Sequence, residues 1–285
     1  MTARFTETLH PGYAQSLDID GAMLVDERSE YQHIQIFDSV RMGRTMALDG
    51  VVQITARDEA SYSEMMTHVP LFEQAAPKRV FIVGGGDGAV AEEALKHDGV
   101  EVEMCEIDAA VVAACKTHFA DVNNGAFDHP RFHLYLEDAF AFMKKAENRN
   151  RYDVIVADRP DPVGPAEVLF QTEFYELLRD SLTETGVVVF QNGAPLLQPE
   201  ELTDTLRQLR SVFPHSGVYL TVTPTYVGGY MALTWASKGT RLGETAPAVV
   251  ADRFIRSGVV TDHYTPALHA AAFALPAWIQ RLLPA

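Results

Sequence analysis

From residue 79 onward, short segments rich in Val and Ile alternate with segments of helical character, and this alternation constrains the fold more than any other feature. Five such segments are predicted strands, each followed by a helix: RVFIVGG (79–85), VEVEMCEI (100–107), RFHLYLED (131–138), YDVIVAD (152–158) and GVVVFQN (186–192). The helices are predicted near 88–97, 109–119, 139–147, 171–182 and 199–212. Short apolar strands of this kind are typical of a parallel sheet covered by helices on both faces.

Two further segments at the end of this pattern, 216–226 and 229–237, are predicted strands with no helix between them. We expect them to form an antiparallel hairpin that closes the sheet. The first 65 residues differ, because HIQIFDSV (33–40) alternates with period two and Asp49-Gly50 stands between apolar stretches as a hairpin signal. The sequence therefore predicts a small all-β domain over 1–65 and an α/β domain over 66–285.

Composition excludes several classes of function. The chain of 285 residues has a formal net charge of −16 and lacks the basic clusters that nucleic acid binding needs. Acidity suits a cationic ligand but more often serves solubility alone. No metal-ligand spacing accompanies the two cysteines, and no segment approaches the roughly 18 apolar residues of a membrane span. With no apolar signal core at the start, we expect a cytoplasmic protein without a metal, a membrane partner or a nucleic acid partner.

The segment IVGGGDGAVAEEAL (82–95) places Gly84, Gly86 and Ala89 in the spacing G-x-G-x-x-A. It follows a predicted strand and opens a predicted helix, which is the context of a nucleotide site. Glu106 lies twenty residues beyond Gly86, at the end of the next strand, where a carboxylate can accept hydrogen bonds from ribose hydroxyls. An exposed strand-end acid is the alternative for Glu106, but the combination predicts an adenosine-type ligand.

Asp87, inside the glycine turn, restricts that ligand further. In dinucleotide enzymes the helix N-terminus at this turn binds a pyrophosphate, and a carboxylate would repel it. A ligand with adenosine at one end and positive charge at the other, such as S-adenosylmethionine or a derivative, is favoured over NAD or ATP. Asp87 is also suited to cap the helix, and the two roles are compatible.

More acids follow the third and fourth predicted strands. Asp138 either accepts a hydrogen bond from an adenine amine or caps the next helix. Asp158 and Asp161 lie in VIVADRPDPVGPAEVLF (154–170) and are either turn residues or a cation site. Ligands of open α/β sheets bind beyond the carboxyl ends of the strands. The predicted site is one acidic rim formed by Asp87, Glu106, Asp138 and Asp158.

Motifs along nearly the whole chain resemble one family. The matching segments, in order, are YQHIQIF, GRTMALDGVVQITARDE, SYSEMMTHVPL, GGGDGA, CEID, DHPRF, DPVGPAEVLF, QNG and PTYVGG. They are similar to segments of the polyamine aminopropyltransferases, most closely the bacterial spermidine synthases. The resemblance implies a small N-terminal β domain followed by a Rossmann-like domain of the class I methyltransferase type. It also implies a homodimer or homotetramer.

The activity implied by the resemblance is transfer of the aminopropyl group of decarboxylated S-adenosylmethionine to a diamine, with release of 5′-methylthioadenosine. That molecule is a co-substrate, and no prosthetic group is implied. Putrescine is the first acceptor to consider, with cadaverine or spermidine as alternatives. Two rivals are an S-adenosylmethionine-dependent amine methyltransferase and a non-catalytic binding protein. Asp87 disfavours the first, since it would repel the carboxylate of S-adenosylmethionine, and Asp158 with Tyr62 disfavours the second.

The resemblance also implies a role for each matching residue. Asp158 would be the general base, assisted by Tyr62, while Asp87 would bind the aminopropyl ammonium and Asp161 the distal ammonium of the diamine. The segment 159–170 would be a lid over the substrates. The co-substrate would contact Gln32, Gln53, Gly84, Gly86, Asp87, Glu106, Asp138 and Ala139, and the amine would contact Tyr62, His68, Asp87, Asp161 and Tyr226.

Some positions depart from the family pattern. Arg159 and Pro160 replace the small hydroxyl residues usual between the two loop acids, and Arg159 is expected either to pair with an acid or to point to solvent. Pro195 stands near a position where some relatives have an amine-binding Gln, and Ala139 replaces a glycine. These departures leave the amine acceptor open. His68 has a second interpretation, since it lies four residues after Glu64 on a predicted helix and such pairs are more often surface or core pairs.

Overall fold

The N-terminal part of the chain forms a five-stranded antiparallel sheet. The computed structural model describes residues 3–159 and 168–284. The strands are β1 (Arg4–Glu7), β2 (Gln15–Arg28), β3 (His33–Ser39), β4 (Gly43–Leu48) and β5 (Val51–Thr55), paired in chain order. The predicted hairpin joins β4 to β5, and its turn residues Asp49 and Gly50 have φ angles of 48° and 81°. Positive φ at both positions matches the right-handed twist of a two-residue hairpin.

The rest of the chain is built on a seven-stranded sheet. Its strands are β6 (Arg79–Gly84), β7 (Glu101–Cys105), β8 (Phe132–Tyr135), β9 (Tyr152–Asp158), β10 (Leu182–Gln191), β11 (His215–Val222) and β12 (Tyr230–Ser237). Their order is β11-β12-β10-β9-β6-β7-β8. The five neighbouring strands β10, β9, β6, β7 and β8 are parallel to one another. The predicted antiparallel hairpin is confirmed, with β12 inserted between β10 and β11. The predicted fold class is therefore confirmed in both of its parts.

Helices cover both faces of the larger sheet. They are α1 (Ala60–Glu73), α2 (Ala89–Leu95), α3 (Ala109–His118), α4 (Ala120–Asn123), α5 (Ala139–Met143), α6 (Thr172–Ser181), α7 (Pro199–Val212), α8 (Pro247–Ser257), α9 (Pro266–Ala272) and α10 (Ala277–Gln280). The helix predicted over 139–147 ends at Met143 and is followed by a separate 3₁₀ turn. Within the described ranges, no helix is long and apolar enough to span a membrane.

The apolar strands have no polar face because each side packs against a helical layer. Val80 and Ile82 of β6 belong to a buried cluster that includes residues of α1, whereas Phe81 and Val83 belong to one that includes residues of α6. Burial on both faces explains why the central strands are almost continuously apolar rather than alternating. This core fixes the carboxyl ends of β6, β7 and β9 beside one another.

The predicted domain boundary at residue 65 falls inside α1. We propose a boundary between Thr55 and Ala60 instead, because β5 ends at Thr55 and α1 packs with the larger sheet. Asp58 anchors the connection, since its carboxylate accepts hydrogen bonds from the Thr55 hydroxyl (2.5 Å) and the Thr225 backbone N–H (2.8 Å).

Glu64 on α1 fixes the C-terminal segment to the core. Its carboxylate is 1% exposed and accepts hydrogen bonds from the backbone N–H groups of Asp262, His263 and Tyr264. A buried carboxylate that accepts several N–H bonds satisfies backbone donors that would otherwise be costly to bury. The C-terminal segment contributes Tyr264 and Ile279 to the buried interior of the chain.

We expect Glu64→Gln to lower the free energy of unfolding by about 2 kcal/mol or more, because one carboxylate oxygen becomes an NH₂ group facing backbone donors. Urea denaturation followed by far-UV circular dichroism measures the change. Glu27→Gln, at an exposed position on β2, is the matched control and should be neutral. Equal stability of the two variants would contradict the role of Glu64.

Candidate active site

A cleft of about 610 Å³ opens at the carboxyl ends of β6, β7 and β9 and extends toward the N-terminal sheet. The parallel strands bring residues distant in sequence to one edge, as the sequence predicted. The predicted site residues that line the cleft are Gln32, Gln53, Tyr62, Gly84, Gly86, Asp87, Glu106, Asp138, Ala139, Asp158 and Tyr226. Asp161 lies outside the described residues, as does most of the predicted lid.

The glycine turn after β6 allows the acids to approach closely. Gly84 has a φ of +77°, and a Cβ atom there would lie 2.2 Å from the backbone oxygen of Asp158. A Cβ atom on Gly86 would lie 3.0 Å from Glu106 Oε2. Only glycine accommodates both the backbone angle and the contact at Gly84. The glycines therefore position the strand ends as well as opening space for a ligand.

Asp87 precedes α2, but the N-cap position of this helix is Gly88, one residue after the predicted cap. Its Oδ1 accepts a hydrogen bond from the Ala89 N–H at 2.8 Å. Burial raises the pKa of the Asp87 carboxyl, while the bond from Ala89 opposes that shift. The bond from Ala89 uses one oxygen of Asp87 and leaves the second available for a cation.

Glu106 is held by backbone donors. Its Oε1 accepts the Asp108 N–H at 2.9 Å, and its Oε2 faces Gly86. Burial, which exceeds the opposing effect of these bonds, raises the pKa of Glu106 to about 7. One oxygen is thus used inside the protein and the other is directed at the cleft.

Asp158 and Tyr62 are in direct contact. The Tyr62 hydroxyl donates to Asp158 Oδ1 at 2.6 Å, and its ring packs edge-on against Tyr226 at 5.6 Å between centroids. Burial, together with the charge of Asp87, raises the pKa of Asp158 to about 7. Burial and the charge of Asp158 raise the pKa of Tyr62, so the hydroxyl stays protonated and donates. Asp158 is poised between its two protonation states near neutral pH.

Asp138 caps α5, with its Oδ1 accepting the Phe140 N–H at 2.9 Å, and it also lines the cleft beside Ala139. Gln32, in the turn between β2 and β3, and Gln53, on β5, reach the cleft from the N-terminal domain. Gln53 Nε2 donates to the Val51 carbonyl at 3.2 Å. Residues of both domains therefore line the same cleft.

His68 lies outside the cleft, so its predicted role in the amine site is wrong. It is 0% exposed, and its ring nitrogens contact Glu93 Oε2 and His97 Nε2, each at 2.9 Å. Burial lowers the pKa of His68 to about 3, so the ring is neutral. The alternative interpretation as a core residue is correct, but its partner is Glu93 rather than Glu64.

The cleft is also lined by residues that the sequence analysis did not identify, among them Glu7, His10, Glu59 and Ser63. Glu59 Oε2 accepts the Ser63 hydroxyl at 2.6 Å, and burial raises the pKa of Glu59 to about 7. Both lie within a helical turn of Tyr62, a spacing that could have identified them. Glu7 and His10 carried no such signal, because β1 was not predicted as a strand.

Arg159 is buried, so the predicted alternative that it points to solvent is wrong. Its side chain is among the largest fully buried ones, donates to the Leu169 carbonyl and the Tyr175 hydroxyl, and pairs with no acid among the described residues. The guanidinium lies over the Phe170 ring at 3.5 Å and near Phe190 at 4.9 Å. A planar cation stacks well on aromatic faces. Arg159 therefore links the chain just after β9 to the segment before α6.

We expect Arg159→Lys to lower the free energy of unfolding by about 2 kcal/mol, because lysine keeps a buried charge but loses the planar stacking and a hydrogen bond. Arg159→Met should be the less destabilising variant, since Arg159 Nε and Nη2 have no hydrogen-bond partner among residues 3–159 and 168–284, and methionine removes them. Urea denaturation measures both. The exposed Arg281→Lys is the control, and the reverse order of stability would contradict this account.

Among the residues that the structure describes, no group of three or more His, Cys, Asp or Glu side chains is arranged to hold a metal ion. The cleft can instead bind cations through carboxylates and an adenosine-like group through the glycine turn and Glu106.

Comparison with known proteins agrees with this geometry. The family model of the spermine/spermidine synthase domain matches residues 59–244, and that of the spermidine synthase tetramerisation domain matches 4–56. The polyamine aminopropyltransferase of Ruegeria sp. (strain TM1040) is 45% identical over 280 residues, or 98% of each chain. Polyamine aminopropyltransferase 1 of Pseudomonas aeruginosa is 44% identical over 276 residues, or 96% of each chain.

Solved structures are also similar. A spermidine synthase in complex with the transition state analogue AdoDATO superposes with a TM-score of 0.92 at 31% identity, covering 99% of this chain and 94% of that one. The spermidine synthase from Thermotoga maritima gives a TM-score of 0.89 at 30% identity, with the same coverage.

Proposed function

The chain belongs to the spermine/spermidine synthase family of polyamine aminopropyltransferases, and we propose that its cleft transfers the aminopropyl group of decarboxylated S-adenosylmethionine to putrescine. The contact between Asp158 and Tyr62 supports this most directly. It provides a buried carboxylate of near-neutral pKa at a fixed strand end, beside a cleft lined by further carboxylates. The products are spermidine and 5′-methylthioadenosine.

The reaction is a displacement at the carbon beside the sulfonium. A nitrogen lone pair of the diamine forms the new C–N bond, and the C–S bond electrons remain on sulfur, which leaves as a neutral thioether. The leaving group needs no proton. The attacking amine is an ammonium ion at neutral pH and must lose a proton first, so a general base is required.

Asp158 is the proposed base. Because Tyr62 occupies Oδ1, the proton is accepted at Oδ2, which lies on the side of Gly85. A Cβ atom on Gly85 would lie 3.4 Å from this oxygen, so the glycine leaves it accessible. Fixed orientation of the two substrates supplies much of the remaining acceleration.

The other carboxylates bind and orient in this proposal. Glu106 accepts from the ribose, Asp138 from the adenine amine, and Asp87 from the aminopropyl ammonium. Asp161, outside the described residues, is proposed to bind the far ammonium of the diamine. Decarboxylated S-adenosylmethionine suits Asp87 better than S-adenosylmethionine does, because it lacks the carboxylate that Asp87 would repel.

We further propose a homo-oligomer that assembles through the N-terminal sheet. The match of residues 4–56 to a tetramerisation domain supports it, as does the exposed apolar side chain of Leu24 on β2. A cytoplasmic location remains our expectation, which the two buried free thiols of Cys105 and Cys115 support.

Incubation with decarboxylated S-adenosylmethionine and each of putrescine, cadaverine, 1,3-diaminopropane and spermidine tests the activity, with product masses as the measurement. We expect an aminopropyl adduct of putrescine, and Asp158→Asn should lower kcat by about 10²-fold or more. Asp98→Asn, at an exposed position, is the charge-matched control. A methyl adduct would show that the enzyme transfers a methyl group instead and would contradict the proposed reaction. Near-normal turnover of Asp158→Asn would show that Asp158 is not the general base.

The raised pKa of Asp158 predicts the pH dependence. The base must be ionised to accept a proton, so kcat/KM for the diamine should rise with pH through about 7 and then level off. A bound ammonium favours the ionised carboxylate, so the midpoint for kcat should lie at lower pH than that for kcat/KM. Initial rates measured from about pH 5.5 to about pH 8.5, which brackets this pKa, give the pH profiles of kcat and kcat/KM. A flat kcat/KM profile would contradict the proposal.

A further inference from the structure

Asp108 connects the two sheets behind the ribose end of the cleft. It is 2% exposed and does not line the cleft itself. Its Oδ1 caps α3 by accepting the Ala110 N–H at 3.0 Å. Its Oδ2 accepts from two residues of the turn between β2 and β3, the Ser29 hydroxyl at 2.6 Å and Gln32 Nε2 at 2.9 Å. The carboxylate thus has a partner on each oxygen.

These contacts determine which way the Gln32 amide faces. Gln32 Nε2 donates to Asp108 Oδ2, so the NH₂ end of the Gln32 amide points at Asp108. The carbonyl end, Oε1, is then the acceptor that Gln32 offers to the cleft, which it lines. Ser29 fixes the turn from the other side, because its hydroxyl oxygen accepts the N–H groups of Tyr31 and Gln32, each at 3.0 Å.

Asp108 also holds the second acceptor at this end of the cleft. Its backbone N–H occupies Glu106 Oε1, which leaves Oε2 for a ligand. Asp108 therefore orients two acceptor oxygens that belong to other residues, Glu106 Oε2 and Gln32 Oε1. A ribose has two adjacent hydroxyl donors, and two separate acceptors satisfy both protons at once.

We propose that Asp108 is a positioning residue for ribose recognition, fixing the Gln32 amide so that Gln32 Oε1 accepts one ribose hydroxyl while Glu106 Oε2 accepts the other. This rests on the proposed function, because it assumes that an adenosine-type ligand occupies the cleft. The proposal adds that ribose binding requires a particular orientation of the Gln32 amide, which the identity of the cleft-lining residues does not specify. The orientation of Gln32 is set by a carboxylate that does not touch the ligand.

Asp108→Asn tests the orientation with little disturbance of the fold, because asparagine is an equally good helix cap. Its oxygen must stay on the Ala110 N–H, so its NH₂ group faces Gln32 and forces the Gln32 amide to rotate. The Gln32 NH₂ group, a donor, then faces the ribose hydroxyl in place of the acceptor Oε1. We expect 5′-methylthioadenosine to bind about tenfold more weakly, as loss of one hydrogen bond predicts. Isothermal titration calorimetry measures the dissociation constant.

A compensating pair makes the test specific. Gln32→Glu alone places two carboxylates together and should also weaken binding. Combined with Asp108→Asn, the new carboxylate accepts the asparagine NH₂ and again offers an oxygen to the cleft. The double variant should bind within about threefold of the wild type, although both single variants are weaker. A purely structural role of Asp108 would give additive losses instead.

Ligand analogues and a control complete the design. The 2′-deoxy and 3′-deoxy forms of methylthioadenosine each remove one hydroxyl, so both should bind the wild type more weakly than methylthioadenosine does. In Asp108→Asn, the analogue that lacks the hydroxyl bound by Gln32 should show little further loss. Asp121→Asn, exposed on α4, controls for the charge change, and thermal denaturation verifies that every variant is folded. If either deoxy analogue binds the wild type as tightly as methylthioadenosine, or the double variant shows additive losses, the inference is overturned. Failure of the wild type to bind methylthioadenosine at all would overturn the proposed function with it.

Discussion

Removing carboxylates from water is costly, and the cleft gathers Asp87, Glu106 and Asp158 at one edge of a buried sheet. Each has a raised pKa caused first by burial. The protein offsets only part of this cost, through the backbone N–H groups of Ala89 and Asp108 and the hydroxyl of Tyr62. The remaining negative potential is what a cationic ligand neutralises. The site is therefore electrostatically incomplete on its own.

The glycine turn makes this concentration of charge sterically possible, and the N-terminal sheet closes the other side. Gly84 lets the end of β6 lie against the backbone of Asp158. Tyr226 donates through its hydroxyl to the Gln53 carbonyl, so β5 is tied to the segment that follows β11. The two sheets therefore act as one binding surface, although their sequences have different periodicities.

Much of the site was predictable because parallel strands carry their carboxyl ends to a common edge. Residues at strand ends, such as Glu106 and Asp158, were therefore located correctly from spacing alone. Helical residues were harder, because periodicity does not say which face of α1 meets the cleft, and His68 was assigned to the wrong face. Arg159 was missed because its aromatic partners are brought together only by the packing of α6 on β10. The role of Asp108 depends on its contact with Gln32. The two residues are 76 positions apart in the sequence, so no local sequence pattern could reveal this contact.

The raised carboxylate pKa values have a thermodynamic consequence for the binding of polyamines. Burial raises the pKa of Glu59, Glu106 and Asp158 to about 7, so near neutral pH a fraction of these carboxyls carries a proton. A bound cation favours their ionised forms, so these protons are expelled into the solvent as the ligand enters. Association is thus an exchange of hydrogen ions for organic cations. Its enthalpy includes the ionisation heat of whatever buffer takes up the protons, and its strength follows the acidity of the surrounding solution.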